Sequence, residues 1–85
     1  MTASSAVPEG WHRYVDKDGK RANGIERDDG QWFINWQYVK DDWGQTVATF
    51  EVFRKGAIGW CFRKAKLRSM ADAVQYTEGQ AVEYA

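Results

Sequence analysis

Between Gln31 and Val39 the chain alternates. Trp32, Ile34, Trp36 and Tyr38 fall on one side of an extended backbone, and Gln31, Asn35 and Gln37 on the other. A two-residue period is the pattern of a strand with one buried face, because successive strand side chains point to opposite sides. A helix would scatter those four apolar residues around its axis. The segment is therefore a strand, and its backbone groups require neighbouring strands to pair with.

The rest of the chain supplies them. Trp11–Val15 and Ala22–Arg27 read as two short strands around Asp16-Lys17-Asp18-Gly19, and Asp28-Asp29-Gly30 is a second turn of the same chemistry. A polar loop from Lys40 to Gln45 carries Trp43 at its tip. Thr46–Arg54 follows, rich in β-branched and aromatic residues, and Lys55-Gly56 turns the chain into a last strand over Ala57–Lys64. On that strand Ile58, Trp60 and Phe62 share one face. Ala57, Gly59 and Cys61 share the other, a small-residue face suited to close approach of a helix.

The period then changes. Ser69 is placed to cap a helix, with Asp72 three residues on, and Met70, Ala73, Val74, Thr77, Ala81 and Tyr84 recur at helical spacing. Gly79 leaves two outcomes, an end near Glu78 or a continuation with a weak point. The expected fold is α+β: an antiparallel meander of four to five strands with one C-terminal helix packed on one face. Residues 1–10 read as a flexible leader, and residues 11–85 as a single domain.

Chemistry is sparsely provided for. His12 is the single histidine and falls on an edge strand. Asp16, Asp18 and Gly19 open like a calcium loop, but the fifth position is Lys20 and the glycine comes too early. Glu26, Asp28, Asp29, Asp41 and Asp42 read as solvated turn carboxylates. No phosphate-cradling glycine loop and no nucleophile elbow occurs. The expectation is a non-enzyme with no cofactor and no metal site. Cys61 is the single cysteine, which closes no disulfide and reads as a small buried residue in a cytoplasmic protein, with a reactive thiol close to Arg63 and Lys64 as the weaker reading. No stretch has the character of a signal peptide or the length of a membrane span, so no membrane partner is expected.

The positive signals concern binding. Five Trp, four Tyr and four Phe among 85 residues exceed what one small core needs. The alternation assigns Trp32, Trp36 and Tyr38 to a buried face, with Phe50 added. Trp43, Phe33, Phe53 and Trp60 are left without a home, and Trp43 is the sharpest single anchor, with a side chain folded back over the sheet edge as its other reading.

The 12 basic and 12 acidic residues cancel, yet Arg54, Lys55, Arg63, Lys64, Lys66 and Arg68 form a belt with no acidic residue between them. Three readings of the belt stay open. Acidic turns neutralise it within the fold. Its cations contact phosphates while Trp60 or Phe62 stacks on bases. Or arginine and tryptophan together meet an acidic protein surface. The leading expectation is a protein-binding module, an inhibitor-type accessory protein of a phage or mobile element, with homodimerisation as a further way to cover its aromatics. The alternative is a nucleic-acid-binding module using residues 54–68.

Gly24-Ile25, Gly30, Trp32 and the helix start Leu67-Arg68-Ser69 faintly resemble the sheet-reading DNA-binding domains of plant and phage-integrase-arm type, over residues 24–76. That resemblance implies a three-stranded sheet laid in the major groove, followed by one helix. The chain departs from it in the long apolar hairpin at residues 50–63, whose basic residues fall at the hairpin's ends.

Overall fold

The computed structural model describes residues 7–79, and at residues 21 and 22 the backbone alone. Five strands precede one helix: β1 (Trp11–Val15), β2 (Arg21–Arg27), β3 (Trp32–Lys40), β4 (Thr46–Gly56), β5 (Gly59–Leu67) and α1 (Met70–Thr77). Every strand pairs antiparallel with its neighbour in sequence, in the order β1-β2-β3-β4-β5. The protein is thus an α+β meander with its helix on one face.

Two of the turns are built to one plan. Asp16 Oδ1 accepts from the backbone N–H groups of Asp18 and Lys20, at 2.9 and 3.0 Å. Asp41 Oδ1 does the same for Trp43 and Gln45, both at 2.9 Å. The fourth residue of each is glycine at positive φ, 81° for Gly19 and 78° for Gly44, which closes a three-residue hairpin loop. Asp18 and Trp43 hold equivalent places in the two loops. The plan asks nothing apolar of that place.

β4 outruns the sequence expectation. Gly56 pairs with Gly59, so the turn is Ala57-Ile58 rather than Lys55-Gly56. Ile58 stands fully exposed at the tip instead of on a strand face with Trp60 and Phe62. β5 then departs from regular pairing twice, between Val52 and Phe53 and between Phe50 and Val52 on its partner. Lys66 takes φ 62° within this irregular stretch. Such bulges bend an edge strand away from further pairing.

The core lies between the sheet and α1. Ile25, Ile34, Val52, Leu67 and Ala73 are fully buried, with Trp11 and Trp32 at its border. Trp36, Phe50, Met70, Val74 and Tyr76 pack against it. Ser69 Oγ accepts from the Asp72 N–H at 3.1 Å and caps the helix. The helix closes at Thr77. Glu78 and Gly79 N–H groups bond back to Gln75 and Tyr76 carbonyls, and Gly79 sits at φ 82°. Of the two sequence outcomes the earlier end is the one adopted; Ala81 and Tyr84 lie outside the described residues.

At the N-terminus, residues 1–6 of the expected leader lie outside the described residues. The remainder is engaged: Trp11 N–H donates to the Pro8 carbonyl, Asp28 N–H to that of Gly10, and Val7 packs against the core.

Lengths decide what the helix leaves bare. Eight residues of α1 span roughly 12 Å, whereas the eleven of β4 span roughly 36 Å. β2 pairs with β3 only as far as Gly24↔Asn35, and β5 with β4 only as far as Leu67↔Phe50. The β3–β4 hairpin beyond those points is a two-stranded arm. Tyr38, expected to be buried, lies on the correct face but on this arm, and is 63% exposed. Cys61, also expected inside, is exposed. Its pairing with Arg54 sets it at the turn end of β5, whereas burial on this strand is confined to Leu67 at the opposite end.

Candidate functional site

The face of the sheet opposite α1 carries a continuous aromatic surface. The strand registers align His12, Glu26, Phe33, Phe53 and Phe62 in one row across all five strands. Side chains paired across strands share a face, and so do residues two apart on one strand. Tyr14 and Trp60 therefore join the row's aromatics.

The ring centroids follow from this placement. Phe33 is central, 4.7 Å from Tyr14, 5.8 Å from Phe53 and 5.7 Å from Trp60. Phe62 meets Phe53 edge-on at 5.6 Å. None of the five belongs to the buried core or packs against it. Four are half-buried by one another, and Phe62 is 57% exposed.

Polar residues frame the cluster. Lys55 pairs with Trp60 at one margin. Asn35 Nδ2 donates to Glu51 Oε1 at 3.1 Å along the next row. At the β1–β2 margin both ring nitrogens of His12 are engaged, Nδ1 with Asp28 at 2.8 Å and Nε2 with Glu26 at 3.1 Å. Asp28 foremost, then Glu26, raises the imidazole pKa above its ordinary 6.5. When protonated, the ring donates from both nitrogens to these two carboxylates. Its role is to tie β1 to the β2–β3 turn.

The residues singled out in the sequence divide into groups. Phe33, Phe53 and Trp60 come together on the open face with Lys55 beside them. Arg54 pairs with Trp32 and lies over its indole, 5.1 Å from the ring centroid, on the helix side. Lys64 pairs with buried Val52 and so belongs by register to the helix side as well. Arg63 is exposed on edge strand β5, and its carbonyl accepts the Tyr76 hydroxyl at 3.5 Å. Lys66 occupies the bulged stretch, and Arg68 the approach to the helix. The belt is contiguous in sequence but not on one surface.

Trp43 is remote from the aromatic face. Roughly 23 Å of β3 separates Phe33 from Lys40 alone, and Trp43 lies beyond it in the loop, 85% exposed.

A second feature lies on the helix side, where the arm outruns α1. A groove of about 590 Å³ opens there, walled by Trp36, Tyr38, Phe50 and Met70, with Arg13 and Arg68 on its lining. The Arg13 guanidinium lies over Trp36, 5.4 Å from the ring centroid.

Sequence reading passed over Tyr14, the full row through Phe62, the His12 clamp and this groove. Tyr14 was within reach, since it alternates with His12 on a recognised strand. The others depend on register, which the periodicity of one strand does not carry. Among the described residues no group of three His, Cys, Asp or Glu is arranged to hold a metal ion, and no helix is long and apolar enough to cross a membrane.

No family model matches the chain, and no curated protein or solved structure is significantly similar to it.

Proposed function

We propose that this protein is a non-enzymatic protein-binding module that presents the open sheet face to its partner. The observation that carries this reading is the cluster of Tyr14, Phe33, Phe53, Trp60 and Phe62, which contributes nothing to the core. Aromatic anchors dominate protein interfaces because they bury large area at low entropic cost. Neighbours that hold one another in place lose little further freedom on docking. The matching partner surface is apolar at its centre and acidic where it meets Lys55. Occluding such a surface is how a module of this kind would act as an inhibitor. The exposed free thiol of Cys61 favours a reducing, cytoplasmic setting.

Nucleic-acid binding is the second reading, and the register weighs against it. Stacking on bases while contacting phosphates needs aromatics and cations on one surface. Arg54 and Lys64 are on the face opposite the aromatic cluster.

A photo-crosslinking residue at position 62, compared with one at position 37 on the same face, tests the proposal in extract of the native cells. The expected result is one protein crosslinked from position 62, and its loss with Phe53→Ala. Titration with DNA and RNA at two salt concentrations separates the classes. Tight binding that collapses with salt and disappears in a Lys55/Arg63/Lys64 triple alanine variant would give the surface to nucleic acid instead.

A further inference from the structure

Trp43 and the helix-side groove are complementary. The loop offers an indole that its own turn does not require, since the equivalent place in the Asp16–Lys20 loop holds Asp18. Beside the indole stands the exposed carboxylate of Asp42. The groove offers aromatic walls and two arginines, and no acidic residue among those described lines it. Within it the Arg13 Nε is buried without a hydrogen-bond partner among the described residues. Cavities from roughly 300 Å³ already hold sizeable groups, so about 590 Å³ admits an indole and its flanking residues.

The loop cannot reach its own groove. β3 and β4 remain paired to Lys40↔Thr46, roughly 7 Å past Tyr38 on the groove wall, and Trp43 stands in the turn beyond, 85% exposed and off the groove lining. An indole from this loop therefore enters such a groove only on another chain.

We propose that the protein self-associates by seating the Trp43 loop of one copy in the Arg13 groove of a second. Loop and groove sit on the same chain, so a two-fold axis lets each copy give its loop and receive the other's. Trp43 enters between Trp36, Tyr38 and Phe50, and the Asp42 carboxylate accepts from the Arg13 guanidinium. The open aromatic face is left free, so this inference stands apart from the proposed partner binding.

Sedimentation equilibrium from micromolar to millimolar protein tests it. The expected result is a reversible dimer that Trp43→Ala weakens about tenfold or more, with the circular dichroism spectrum unchanged because Trp43 is exposed. Asp42→Lys and Arg13→Glu should each weaken the dimer, and the Asp42→Lys/Arg13→Glu double variant should recover it. Trp43→Ala mixed with Arg13→Glu should associate through the one intact contact more tightly than either does alone. Arg13→Glu tests the groove by losing its stack on Trp36, so Asp42→Lys, on an exposed side chain, guards against a folding defect. A wild-type monomer at millimolar concentration overturns the proposal. So does a dimer that Phe62→Ala dissolves and Trp43→Ala leaves intact.

Discussion

The Phe33 ring lies directly over Gly24. A Cβ at residue 24 would stand 2.6 Å from Phe33 Cζ and 2.9 Å from the Ile34 carbonyl oxygen, closer than real carbon contacts allow. The missing side chain on β2 is what lets the ring at the centre of the aromatic cluster lie against the sheet backbone. From there it reaches Tyr14, Phe53 and Trp60 together. Gly24 is thus the seat of the candidate site.

Gly24→Ala should therefore lower stability by about 1–3 kcal/mol, the usual cost of overpacking, read as a reduced urea midpoint. Phe33→Leu should recover part of that loss in the double variant, because the more flexible side chain can move aside. The Ile34 carbonyl contact remains, so recovery should be incomplete. Two single effects that simply add would show that the ring and the added methyl do not compete.

How far the sequence revealed this architecture depends on which signal each residue carries. The alternation from Trp32 to Trp36, the capping pair Ser69 and Asp72, and the Asp-to-Gly turns are local chemistry, and each appears where the pattern put it. Gly56 misled because a glycine has more than one use. Lys55-Gly56 has the chemistry of a turn, but Gly56 lies inside the strand, where an added Cβ would stand 2.6 Å from Cys61 Sγ. The irregular pairing of β5 has no residue signature in Arg63 or Lys66, so the belt read as one surface while register divides it. Phe33 and Phe53 looked homeless for a related reason. Each is the other's neighbour across the β3–β4 pairing, which becomes visible once the strands are aligned.

His12 makes stability depend on pH. Its folded pKa is raised above 6.5, chiefly by the hydrogen bond to Asp28 and further by Glu26. A group with a raised folded pKa contributes its stabilisation fully below the unfolded value and loses it as pH climbs through the folded one. Unfolding midpoints should thus fall as pH rises from below 6.5 through the raised pKa. The imidazole is about half exposed, so solvent screening keeps the change small. His12→Gln should flatten that part of the profile, and titration of the imidazole by NMR should give a pKa above 6.5. A histidine titrating at or below 6.5 would mean the two carboxylates do not hold it.

Lys66 should be better as glycine. It is the single non-glycine residue at positive φ among those described, at 62°. A left-handed conformation costs an L-residue roughly 1–2 kcal/mol. Glycine removes that strain but gives back roughly 0.5–1 kcal/mol through the freer unfolded chain. The difference favours Lys66→Gly by about 0.5–1 kcal/mol, measurable as a higher urea midpoint with an unchanged slope. Lys66→Ala keeps the strain and removes the cation, so it separates backbone from charge and should leave stability nearly unaltered. If Lys66→Ala stabilised the fold as much as Lys66→Gly, repulsion within the basic belt would be the cause rather than the backbone. The Leu67 side chain, fully buried immediately after the bulge, explains why the strain persists in the wild-type chain. Relaxing residue 66 without glycine would rotate Leu67 out of the core, and burial of a leucine outweighs it at roughly 1.5–3 kcal/mol.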